Sequence, residues 1–237
     1  MNVIHCQQVK KSYADKCVLN GVDLSVKQGD FFSLVGMNGC GKSTLIKSIL
    51  DLTSIDEGEI GLLELPHMNV SARANVVYLP DRFSPPAYLK AKDFITYMLA
   101  LYGVKKAQSQ IDDVLLALGL EQGMLDLSVN KLSKGMTQKL GLAACLLSDK
   151  KLLILDEPMS GLDPKARVLF KQQLTLLKAK GVSVFFSSHA LADVDELADN
   201  MAVLHEGKIL FSGHPQAFKE SYQADKLEQA YMSCIES

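Results

Sequence analysis

The stretch with the plainest chemistry is Gly36-Met37-Asn38-Gly39-Cys40-Gly41-Lys42-Ser43-Thr44. Its glycines let backbone N–H groups come close to an anion. Lys42 is spaced to reach the β- and γ-phosphates of a nucleotide, and the Ser43 hydroxyl to ligate Mg2+. The fixed positions alone would match by chance in roughly one chain in a hundred of this length. An apolar run, Phe31-Phe32-Ser33-Leu34-Val35, precedes the stretch and reads as a buried strand. Leu45-Ile46-Lys47-Ser48-Ile49-Leu50 follows and reads as a helix. Strand, glycine-rich loop and helix in that order specify a phosphate-binding P-loop, with the helix N-terminus adding donors and a positive dipole end. Cys40 has only to be small there, though its setting among N–H donors would also favour a thiolate.

A second pattern is Leu152-Leu153-Ile154-Leu155-Asp156-Glu157. Four aliphatics read as a strand covered on both faces, and two carboxylates at its end call for a cation. Asp156 suits Mg2+, and Glu157 suits the polarising of a water that attacks the γ-phosphate. The run from Val182 to Ser188 is another buried strand, and it ends at His189. A histidine there is either a satisfied structural residue or, at the carboxyl edge of a parallel sheet, a phosphate contact; the edge position favours the contact. Lys10 to Lys16 reads as a polar turn between two strands, and Tyr13 in that loop is either a half-buried packing residue or a ring stacked on adenine.

The elements that must position these groups follow from periodicity. Val3–Val9 and Val18–Val26 alternate as antiparallel strands, and Asn75–Pro80 reads as a strand ended by proline. After a loop holding Pro85 and Pro86 the spacing turns helical: Phe94, Tyr97, Met98 and Leu101, then Ile111, Val114, Leu115 and Leu118. Asp163-Pro164 predicts the cap and first residue of a helix running to Lys180. Met201–Leu204 and Lys208–Phe211 predict a hairpin, and Leu227, Ala230, Tyr231 and Cys234 a last helical stripe packed on the body. The expected organisation is one domain over residues 1–237: a core of 1–81 plus 149–237, with a helical subdomain inserted at 82–148.

With 237 residues, 48% hydrophobic and 22% charged, the chain has ample material for a core. A net charge of −2 gives no electrostatic reason to expect nucleic acid as a partner. Five scattered cysteines without a Cys-x-x-Cys pair argue against zinc and disulfides. No run approaches the length of a membrane span and no secretory leader is visible, so a cytosolic chain is expected.

Together these residues resemble the ATP-binding subunit of an ATP-binding-cassette (ABC) transporter, over essentially the whole chain. Gly36–Thr44 corresponds to Walker A and Leu152–Glu157 to Walker B. Leu132-Ser133-Lys134-Gly135-Met136 is similar to the family's Leu-Ser-Gly-Gly-Gln signature, Ser160–Asp163 to its D-loop, His189 to its switch histidine and Tyr13 to its adenine-stacking aromatic. The resemblance implies an α/β P-loop ATPase with a mixed central sheet flanked by helices, an N-terminal antiparallel piece and an inserted helical subdomain. It implies ATP and Mg2+, and a head-to-tail pair of cassettes, identical or homologous. Each nucleotide would then lie between one Walker A and the other cassette's Ser133 and Gly135, and the pair would drive a separate membrane permease.

Lys134 and Met136 depart from the signature in a form similar to that of exporter-type members. Asp81 lies where the family's Q-loop glutamine is expected, and could hold the Mg2+ or its water. The implied function is a transport-coupled ATPase facing the inner side of the membrane, exporter-like. The alternative is a soluble ABC ATPase that remodels a cytosolic assembly or a cofactor-assembly scaffold.

Overall fold

The computed structural model describes residues 1–236. In chain order β1 (Asn2–Tyr13), β2 (Lys16–Lys27) and β3 (Phe31–Val35) lead to α1 (Lys42–Ile49), followed by β4 (Glu57–Leu62), β5 (Leu65–Pro66) and β6 (Val76–Leu79). Next come the helices α2 (Ala91–Tyr102), α3 (Gln108–Ala117), α4 (Gln122–Leu125) and α5 (Lys134–Leu146). Then β7 (Leu152–Leu155), α6 (Pro164–Ala179), β8 (Ser183–Ser188) and α7 (Leu191–Leu197) precede the hairpin β9 (Asn200–His205) and β10 (Lys208–Gly213). Helices α8 (Pro215–Ser221) and α9 (Leu227–Glu236) complete the described chain. Among the described residues no helix is long and apolar enough to cross a membrane.

The chain divides into two compact units. The first holds Met1–Val76, Lys151–Asp156 and the residues from Gly181 onward. It contains an antiparallel sheet in the order β2-β1-β4-β5 and a second sheet in which β10, β9, β3, β8 and β7 are neighbours. In the second sheet β3 runs parallel to β8 and β9, and β7 parallel to β8, while β10 turns back against β9. Every residue of β3, β7 and β8 is buried, as strands covered on both faces require. Leu227, Ala230, Tyr231 and Cys234 of α9 are buried too, so that helix is packed on the body.

The antiparallel hairpin is longer than its apolar pattern suggests. Backbone pairing continues through the polar residues to Tyr13↔Lys16, leaving a turn at Ala14 with φ 48°. The stretch from Lys10 to Tyr13 is therefore strand rather than loop: sheet hydrogen bonds do not need apolar side chains when one face meets water.

The second unit holds Val77–Lys150 and Glu157–Lys180, and so takes in α6 as well as the helices of 82–148. Its centre is α5, where Leu140, Leu142, Ala143, Ala144 and Cys145 are buried. At Gly141 an added Cβ would come within 2.7 Å of Leu79 and 2.8 Å of Phe83. Phe83 in turn meets Phe94 of α2 edge-on, with centroids 5.8 Å apart. The buried stripe of α2 is Ala91, Phe94, Ile95 and Leu99, whereas Tyr97 and Leu101 are exposed. Both sets fit helical spacing, and the pattern alone does not choose between two apolar faces.

Candidate functional site

Three parallel strands of the first unit end side by side. Val35 of β3 is level with Ser188 of β8, and Leu155 of β7 is level with Phe186. The P-loop leaves β3, Asp156 leaves β7 and His189 leaves β8, all at one carboxyl edge, where parallel sheets bind their ligands.

The loop from Gly36 to Gly41 is shaped by close approaches. A Cβ on Gly36 would lie 2.4 Å from the carbonyl oxygen of Leu204 in β9 and 2.5 Å from Cys40 Sγ. Gly41 takes φ 114°, with the Val18 carbonyl 2.9 Å from where its Cβ would be. Gly36→Ala is therefore expected to displace the loop and weaken nucleotide binding about five- to a hundredfold, read by titrating a fluorescent ATP analogue, since overpacking costs about 1–3 kcal/mol and the Leu204 carbonyl is backbone that cannot swing aside.

Lys42 opens α1 and is 7% exposed. Its ammonium donates to the carbonyls of Gly36 at 2.6 Å and Met37 at 3.3 Å, which holds the charge at the mouth of the loop. Ser43 is exposed beside it, Thr44 and Cys40 are half-buried, and Asn38 and Gly39 lie at the exposed tip. Gly41 stands at the N-cap of this helix and supplies no side-chain cap.

Asp156 is 2% exposed, and the Ser187 hydroxyl of β8 donates to its Oδ1 at 2.6 Å. Glu157 follows with φ 50°, a left-handed backbone that glycine adopts freely and that costs other residues roughly 1–2 kcal/mol. His189 is exposed at the end of its strand. Tyr13 closes β1 and is 48% exposed, with the Lys11 ammonium 5.4 Å from its ring centroid.

The second unit carries Asp81, Ser133, Gly135 and Glu157. Asp81 is exposed in the bend after β6. Ser133 caps α5, its oxygen accepting the Met136 N–H at 3.2 Å. That role uses a lone pair and leaves the hydroxyl proton to donate to an anion.

The start of α5 is bound tightly to the loop before α6. A Cβ on Gly135 would lie 3.1 Å from the Gly161 carbonyl, and the Lys134 stem passes 3.8 Å from where one on Gly161 would be. Gln138 donates to the Pro158 carbonyl at 3.4 Å, and Lys139 pairs with Asp163 at 3.4 Å. Asp163 also accepts the Ala166 N–H at 2.9 Å as the cap of α6. That amide, with Lys139 adding to it, holds the Asp163 carboxyl below the usual range. Gln138, Lys139 and Ser187 are contributors that motif spacing does not pick out. For Ser187 the available signal is a pair of hydroxyl residues directly after the apolar run Val184-Phe185-Phe186.

Among the described residues no group of three or more His, Cys, Asp or Glu side chains is arranged to hold a metal. The oxygens of Ser43 and Asp156 are hard donors suited to an ion that keeps water and substrate phosphates as its remaining ligands.

Residues 19–160 match the ABC transporter family. Over 90% of its length the chain is 35% identical to an uncharacterized ABC transporter ATP-binding protein, YhaQ, of Bacillus subtilis (strain 168), covering 72% of that protein. It is 33% identical to a Nod factor export ATP-binding protein I of Rhizobium sp. (strain N33), over 90% of this chain and 71% of that one. A solved ATP-binding subunit of an ABC transporter superposes with a TM-score of 0.89 at 25% identity, covering 98% of this chain and 99% of the other. A dimeric ATP-binding cassette in a post-hydrolysis state, bound to ADP and Pi, shares the fold with a TM-score of 0.80 at 21% identity, over 89% of this chain and 98% of that one.

Proposed function

The chain belongs to the ABC transporter family as one of its ATPase cassettes, and from that premise we propose that it pairs around ATP and drives a separate membrane permease, in the export direction. The observation that carries this reading is the single sheet edge at which the P-loop, the Ser187-held Asp156 and His189 emerge together. The export direction draws support from the Nod factor export relatives.

In this reading the P-loop amides and Lys42 bind the β- and γ-phosphates, and Tyr13 stacks on the adenine. Ser43 and Asp156, with Asp81, would hold Mg2+, which neutralises charge on the phosphates when bound. Glu157 orients and deprotonates the attacking water, and His189 contacts the γ-phosphate. The second cassette, a copy or a homologue, supplies its Ser133 hydroxyl and the donors at the start of its α5. ATP then joins the pair, and its hydrolysis releases them. Tyr88, Tyr97 and Leu101 of the second unit are exposed and offer apolar area to a permease on the cytosolic face of the membrane.

A mixing experiment tests the shared site. Lys42→Ala and Ser133→Ala chains are each expected to be inactive alone. Mixed, they assemble pairs with one intact and one doubly damaged site, so phosphate release recovers to no more than about half of the parent rate, on the additivity expected of independent sites. No recovery in a mixture that pairs, or recovery to the full parent rate, excludes a site shared between cassettes.

A further inference from the structure

Ser187 stands between the strand that launches the P-loop and the strand that delivers Asp156. It is level with Leu34 of β3 on one side. On the other, Leu155↔Phe186 pairing brings Asp156 out of β7 beside it. Its hydroxyl donates to Asp156 Oδ1 at 2.6 Å, with Ser187 0% and Asp156 2% exposed.

The neighbouring hydroxyl acts locally instead. Ser188 Oγ accepts the Ala190 N–H at 3.0 Å and turns the chain towards α7. The two adjacent serines are therefore not interchangeable. One shapes the loop after β8, and the other reaches across to a buried carboxylate. At 187 an apolar side chain would suit the strand interior as Val184, Phe185 and Phe186 do, so the hydroxyl has to be accounted for by what it touches.

We infer that Ser187 is a positioning residue for the metal–nucleotide complex: by engaging Oδ1 it fixes the carboxylate plane of Asp156 and leaves Oδ2 to hold the ion, directly or through water. The inference rests on the reading of Asp156 as a Mg2+-holding residue. Outer-shell donors of this kind orient a ligand before the ion arrives, and their loss typically lowers metal affinity ten- to a hundredfold. A hydroxyl that merely satisfied a buried oxygen would change the melting temperature and leave the ion's affinity alone.

The test titrates Mg2+ into the full chain with a fluorescent ATP analogue, after nucleotide affinity has been measured in EDTA. Ser187→Ala is expected to bind nucleotide in EDTA like the parent yet need about ten- to a hundredfold more Mg2+ for half-saturation, with Ser187→Thr restoring the parent value. If Ser187→Ala does not fold, Ser187→Cys keeps the volume with a weaker donor and is expected to shift in the same direction. Asp156→Asn separates the two layers of the reading. If it shifts Mg2+ dependence while the Ser187 variants do not, Ser187 is only structural and the inference is overturned with the role of Asp156 intact. If Asp156→Asn also leaves Mg2+ dependence at the parent value, the metal assignment itself falls and takes the inference with it.

Discussion

Glu157→Gln binds ATP with the parent's affinity, hydrolyses it about a hundred- to ten-thousandfold more slowly, and accumulates as an ATP-bound pair. That is the expected result if Glu157 is the general base, since a positioned base contributes a factor of this size and an amide cannot take the proton. The substitution keeps the length of the side chain and its Cβ, so the φ of 50° at this position is equally strained before and after. The loss should therefore fall on turnover and spare folding. Phosphate release reads the rate, and size-exclusion chromatography with ATP and Mg2+ reads the pairing. Turnover at the parent rate would remove Glu157 from the chemistry.

Lys42→Ala is expected to fail one step earlier. The ammonium is buried and held by two carbonyls of its own loop, so alanine removes a desolvated charge from a place built around it. Charged hydrogen bonds contribute about 1.5–3 kcal/mol each, which corresponds to a loss of roughly ten- to a hundredfold in nucleotide affinity. Hydrolysis should drop by a further factor of roughly a hundred to a thousand through lost stabilisation of the transferring phosphoryl group. Binding of a fluorescent nucleotide and phosphate release measure the two effects separately. Unchanged affinity would mean that the phosphates lie elsewhere.

The P-loop, the buried strands and the Asp163 cap were legible because each is written in a short contiguous stretch with a local physical demand. Gly36 and Gly41 are required by backbone approaches, and β3, β7 and β8 by burial on both faces. What spacing alone could not show depends on partners distant in sequence. Ser187 meets Asp156 thirty-one residues away, and Gln138 meets Pro158 across twenty. Spacing did not single out the buried face of α2, because Tyr97 and Leu101 recur at helical intervals just as the buried Ile95 and Leu99 do. Tyr13 reads as loop because strand pairing at the tip of the β1–β2 hairpin is carried by backbone, which leaves no apolar trace.

The left-handed backbone at Glu157 sets selection for stability against selection for turnover. In a saturation library at this one codon, survivors chosen for heat resistance should enrich glycine and asparagine, the residues most at ease in that conformation. Survivors chosen for turnover should keep glutamate, and β-branched residues should vanish from both pools.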